Sequence, residues 1–112
     1  MNVNIQREID YTAKCFPDVK MKLRNLTSSQ FKKSVTYHPP KKNKKPQLEF
    51  DTDIMVDSMV FDITNLTVTD EQKKVVEIKT GKDILDTPGL DDLYLELIPV
   101  LMKMEARVDA KN

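Results

Sequence analysis

Tryptophan is absent from the 112 residues, cysteine occurs once, glycine twice, and aromatic residues make up only 6% of the chain. Each scarcity removes a class of protein. A lone Cys15 cannot close an intramolecular disulfide, which excludes a disulfide-stapled secreted scaffold. With His38 as the only imidazole, a structural zinc site lacks the roughly four ligands it needs. A reduced compartment suits such a chain. Two glycines cannot build a loop that wraps phosphates, so Asp86-Thr87-Pro88-Gly89 reads as a helix start although it spells the Asp-x-x-Gly of GTPases. No apolar run approaches the roughly 20 residues that span a bilayer. Arg7, Glu8, Asp10 and Lys14 leave no signal-peptide core. The expectation is a soluble protein of the cytoplasm with no membrane partner.

What is present fits one domain, residues 1–112, long enough to bury about 65% of the surface its unfolded chain exposes. Eighteen basic and eighteen acidic residues cancel in total. The halves do not cancel: residues 1–50 hold 11 Lys/Arg against 4 Asp/Glu, or +7, and residues 51–112 hold 7 against 14, or −7. Such a polarised chain either folds its halves against each other or offers opposite faces to partners or further copies of itself.

Residues 2–14 carry weak signals and their state stays open, disorder over 1–10 included. Tyr11, Ala13 and Cys15, then a Phe16-Pro17-Asp18 turn, then Val19, Met21 and Leu23 alternate with polar residues as a small β-hairpin does. Lys20, Lys22 and Arg24 fill the other face of the second strand and would discourage edge pairing. Thr27 and Gln30 form a capping-box pattern that predicts a helix to about Tyr37, ended by His38-Pro39-Pro40. Residues 38–47 read as an exposed, extended basic loop carrying Lys41, Lys42, Lys44 and Lys45. Asp51 and Asp53 open a second helix through Ile54, Met55, Met59 and Val60. Thr69 and Gln72 repeat the capping box and predict a short helix through Val75, Val76 and Ile78, closed by Gly81, with one more turn over Lys82–Leu85.

The clearest period comes last. Leu90, Leu93, Tyr94, Leu97, Ile98, Leu101 and Met102 follow the spacing of a buried helical stripe, with Thr87 as its cap and Pro88 as its first residue. Pro99 removes a helical hydrogen bond, at a cost of about 3 kcal/mol, and predicts a kink near Leu95–Pro99 or two shorter helices. Residues 108–112 read as a frayed tail. The expected fold class is α+β but mainly α-helical: a small N-terminal β-hairpin packed on several short helices and a C-terminal amphipathic helix.

Catalysis has little to work with. The acid pairs Asp51/Asp53, Asp70/Glu71 and Asp91/Asp92 all fall at predicted helix starts, where the helix dipole accounts for them. Cys15 and His38 do not make a convincing nucleophilic pair. No catalytic residue, metal ligand or cofactor is expected, and the chain reads as a non-enzyme. The glycosylation sequons at Asn25 and Asn65 are inert without secretion. Met21, Met55, Met59, Met102 and Met104 serve either an irregular core or a surface that grips varied apolar partners.

The run Val19-Lys20-Met21-Lys22-Leu23-Arg24-Asn25-Leu26-Thr27-Ser28-Ser29-Gln30, then the basic break, then Phe50-Asp51 and a helix reaching Ser58, leads to Gly81, Ile84-Leu85 and Pro88-Gly89-Leu90-Asp91-Asp92-Leu93. This order resembles the small tail assembly chaperones of long-tailed bacteriophages, over residues 16–104. The resemblance implies a late viral protein of the host cytoplasm that coats and solubilises the tape-measure protein and is absent from the finished virion. With it the stripe over Leu90–Met104, Leu93, Leu97 and Leu101 included, is expected either to form the core or to contribute to the partner groove; Lys41, Lys42, Lys44 and Lys45, the one charge cluster the expected fold does not account for, join them as candidate partner-binding residues, with a homo-oligomer as a further option. It also implies a −1 frameshift near the gene's end, for which Ala110-Lys111-Asn112 allows the slippery heptamer A-AAA-AAC. Two other readings remain: a nucleic-acid-binding accessory protein using the basic loop, which is the less expected partner class, and a host-directed inhibitor that binds one protein.

Overall fold

A computed structural model describes residues 1–2 and 8–105. The expectations for Val3, Ile5 and the 108–112 tail lie outside the described residues. Four helices and seven strands are present among them, at 36% helix and 29% strand. The expectation of a mainly helical chain is therefore corrected to a balanced α+β fold.

The N-terminal hairpin forms, its second strand where the pattern puts it and its first strand three residues earlier than Tyr11–Cys15. Strand β1 (Glu8–Thr12) pairs antiparallel with β2 (Lys20–Arg24), with Ile9 opposite Leu23 and Tyr11 opposite Met21. Ala13 and Cys15 fall in the connecting turn, which Ala13 N closes on Val19 O at 3.0 Å. The three cations of β2 do not mark an edge. They sit on the central strand of a three-stranded sheet in the order β1-β2-β5, because β5 (Val60–Thr64) pairs on the other side. Glu8 and Asp10 lie directly opposite Arg24 and Lys22, so part of the positive half is matched within the sheet. The register with β5 shifts between Lys20 and Lys22, and Asp62 takes a left-handed φ of 50° in that bulge.

Thr27 caps α1 (Ser28–Ser34) through the expected box with Gln30. The helix stops at Ser34, three residues short of Tyr37, because Val35–His38 leaves it as strand β3 and pairs with β4 (Gln47–Phe50). Asp51 caps α2 (Thr52–Met59), its Oδ1 accepting the amides of Asp53 and Ile54. Val60 is the first residue of β5, not the last turn of that helix.

The short helix expected after Thr69 is instead a hairpin of β6 (Thr67–Thr69) and β7 (Val75–Glu77). Asp70 caps a turn: its Oδ1 accepts the amides of Gln72 and Lys74, and Lys73 adopts a left-handed φ of 61°. The β-branched pair Val75-Val76 then favours the strand. Gly81 does not end a helix but begins α3 (Gly81–Asp86), capped by Thr80 with Asp83 in a second capping box. A Cβ at Gly81 would lie 1.9 Å from the Val56 carbonyl oxygen, so the glycine is what lets α3 sit on α2.

Thr87 follows α3 as its C-cap, and Pro88-Gly89 is a turn with Gly89 at φ 93°, so neither Thr87 nor Pro88 starts the last helix. That helix, α4 (Asp91–Glu105), is single and continuous through Pro99. Pro99 and Leu95 are both exposed, which leaves the carbonyl that Pro99 cannot satisfy on the solvent side. One apolar cluster unites the inward face of the sheet (Met21, Leu23, Val60, Ile63) with Met55, Val56 and Met59 of α2 and Leu93, Leu97 and Leu101 of α4. Three of the five structured methionines, Met21, Met55 and Met59, are thus core residues, and Met102 is exposed.

Candidate interaction surface

The leucine stripe is not a partner surface. Leu93, Leu97 and Leu101 are each 0% exposed and form the spine of the core, which corrects their assignment as binding residues. The lysine loop is different, because the two missed strands turn it into the tip of a β-ribbon arm. Ser34 O accepts the Asp51 amide at 2.6 Å and Phe31 meets Phe50 edge-on at 6.0 Å, so the base of the arm is fixed to α1 and to the start of α2. The register then pairs Val35 with Phe50, Thr36 with Glu49, Tyr37 with Leu48 and His38 with Gln47. Alternation puts Val35, Tyr37, Leu48 and Phe50 on one face. On the other, His38 Nε2 and Glu49 Oε2 lie 2.8 Å apart.

The apolar face runs out into solvent. Val35 and Phe50 are half-buried at its root, whereas Tyr37 and Leu48 are 58% and 50% exposed. Beyond them Lys44 N closes a turn on Lys41 O at 2.8 Å, with Asn43 at φ 70°. The expected extended loop is therefore a turned tip, flanked by the exposed Pro39, Pro40 and Pro46. All four tip lysines are exposed, and none of their ammonium groups is in an ion pair among the described residues. Lys32 and Lys33, in the last turn of α1, extend the positive surface toward the root.

Elsewhere the polar side chains are used to tie elements together. Glu96 of α4 accepts Tyr11 Oη at 2.6 Å, Lys14 N at 2.7 Å and Cys15 N at 2.9 Å. Burial works against its charge, but the Lys14 amide, the Tyr11 hydroxyl and the Cys15 amide and thiol outweigh it and hold the carboxyl down at about 2. Burial, then the hydrogen bond to Glu96, pushes Tyr11 up to about 12 and the Cys15 thiol up to about 11. At neutral pH Cys15 is a protonated thiol, the opposite of an activated nucleophile. His38 is on the arm with Glu49, while Cys15 is in the β1–β2 turn with Glu96. Tyr94 of α4 donates to Asp53 Oδ1 at 2.7 Å and lies 2.6 Å from Thr52 Oγ1, which fastens α4 to the first turn of α2.

No family model matches this chain, and no curated protein or solved structure does either. Geometry therefore has to carry the functional reading. Among the described residues no group of three or more His, Cys, Asp or Glu side chains is placed to hold a metal ion, and no helix is long and apolar enough to cross a membrane. A groove of about 760 Å³ opens beside the β6–β7 hairpin, lined by Asp70 and Glu71 of the hairpin turn and by Asp83 and Asp86 of α3. Sequence reasoning missed this groove because it read 69–79 as helix. The alternation in Val35-Thr36-Tyr37-His38 and in Gln47-Leu48-Glu49-Phe50 was the signal for the arm.

Proposed function

We propose that the chain is a non-enzymatic assembly chaperone of the phage-tail type, which holds the tape-measure protein soluble by gripping it with the apolar face of the β3–β4 arm. The observation that carries the reading is the Tyr37–Leu48 pair, an aromatic and an aliphatic side chain set opposite each other yet left in water. Such pairs are ordinarily covered, and an exposed one on a two-stranded ribbon offers both a sticky face and free strand edges to an unfolded or helical partner. The resemblance of its order of sequence features to that of the tail assembly chaperones suggests the kind of partner. The protonated Cys15 thiol and the use of Glu96, Asp53 and Asp83 as structural ties are consistent with a binding role in place of chemistry.

The test is co-expression with the product of the gene immediately downstream, which this reading requires to be a very long coiled-coil protein. The wild type keeps that protein in the soluble fraction, and Tyr37→Ser with Leu48→Ser does not; equal solubility with and without the chaperone rejects the reading.

A second reading has an observation of its own. Tyr37 stands next to a tip of four lysines that make no ion pair among the described residues, the combination of ring and cations that single-stranded nucleic acids recognise. It requires a steep loss of oligonucleotide affinity with salt and a further loss on Tyr37→Ser.

A further inference from the structure

The geometry points to a self-docking contact in which the lysine tip of one copy's arm seats in the acidic groove beside the β6–β7 hairpin of the next copy. The tip carries four ammonium groups with no ion-pair partner among the described residues, flanked by exposed prolines. The groove answers in both respects. It is lined by four acidic residues and by no Lys or Arg: Asp70 and Asp83 each use one carboxylate oxygen to hold backbone amides, and Glu71 and Asp86 add two more negative charges. Its apolar lining, Val68, Val76 and Pro88, suits the prolines and the methylene stems of the lysines, whose charged ends then reach the carboxylates.

Charge balance is what selects a second copy as the occupant. The excess of +7 over residues 1–50 already discounts Glu8 and Asp10, which lie opposite Arg24 and Lys22 in the β1–β2 pair, and four of the cations that make it up are gathered at the tip. The groove belongs to the −7 half. Each copy thus carries one complementary donor and one acceptor surface, at different places on its fold. A contact between two different surfaces of identical chains propagates into rings or filaments and does not stop at a dimer unless the rotation closes it. The contact as proposed uses the lysine tip and not the Tyr37–Leu48 pair. The contact rests on tip and groove alone and does not depend on the tail-chaperone reading.

Sedimentation of the purified chain over a concentration series and a salt series tests it. The wild type associates, more weakly as salt rises. A tip reversal, Lys41→Glu, Lys42→Glu, Lys44→Glu and Lys45→Glu, weakens association at least about tenfold. So does a groove reversal, Glu71→Lys, Gln72→Lys and Asp86→Lys, chosen to spare Asp70 and Asp83, whose carboxylates hold a turn and a helix start. The deciding arm is the mixture: the two reversed proteins, each monomeric alone and each folded by circular dichroism, associate with one another. Tyr37→Ser with Leu48→Ser leaves self-association intact, so its outcome is separate from tape-measure solubilisation. A wild type that stays monomeric at low salt overturns the proposal, as does a mixture that fails to associate. Association that survives tip reversal overturns it too, and a tip that binds a thymidine oligonucleotide without any self-association assigns the lysines to nucleic acid instead.

Discussion

Tyr37 and Leu48 stand directly opposite each other on the β3–β4 ribbon, and both keep half or more of their surface in water. A cross-strand pair of this kind contributes about 0.2–1 kcal/mol to a hairpin. Replacing both by Ser is expected to lower global stability by no more than about 1 kcal/mol in urea unfolding while removing partner capture. A large loss of stability would show that the pair belongs to the fold instead.

Glu96, Tyr11 and Cys15 make stability depend on pH at both extremes. The Glu96 carboxyl sits near 2 against an ordinary 4.5, so the unfolded chain binds its proton first and stability falls as pH drops through that interval. Cys15 and Tyr11 are raised, from 9.0 to about 11 and from 10.0 to about 12, so the unfolded chain releases protons first and stability falls as pH climbs through those intervals. Glu96→Gln should flatten the acid limb of a plot of unfolding midpoint against pH, and an unchanged acid limb would separate Glu96 from the effect.

Gly81→Ala places a methyl group against the Val56 carbonyl with 1.9 Å between centres. Backbone on both sides leaves little to yield, and a loss of about 3 kcal/mol or more is expected from calorimetry or urea unfolding. Gly89→Ala meets no neighbouring atom and costs only the strain of its φ of 93°, on the order of 1 kcal/mol.

Leu97→Ala opens a cavity at a position with 0% exposure and should cost about 2–5 kcal/mol. If Leu97 were a partner-gripping residue, the same substitution would leave stability unchanged and remove binding.

The sequence signals that proved legible were those with a local cause. The capping oxygens of Thr27 and Asp51 act within three residues, and the spacing of Leu93, Leu97 and Leu101 states its own period, so each was read in its right element. The failures share the opposite property. Val35–His38 becomes a strand only because Gln47–Phe50 lies beside it, and the Thr27 cap gave no sign of where its helix would stop. Asp70 has the chemistry of a helix cap and of a turn cap alike, and pairing of Thr67–Thr69 with Val75–Glu77 decides between them. Gly81 resembled a helix end until the carbonyl of Val56, 25 residues earlier, gave the reason for a missing side chain. The lysine loop was visible as an unexplained charge cluster, yet its presentation on a ribbon beside Tyr37 was not, since that presentation depends on a register no single segment contains.

The central claim is that the apolar face of the arm holds an aggregation-prone partner in solution. It is tested most directly by measuring the soluble fraction of the tape-measure protein co-expressed with the wild type, with Tyr37→Ser/Leu48→Ser, and alone. The account predicts a soluble tape-measure protein with the wild type only, while the variant itself remains folded and soluble. Solubility that the variant supports as well as the wild type would contradict it.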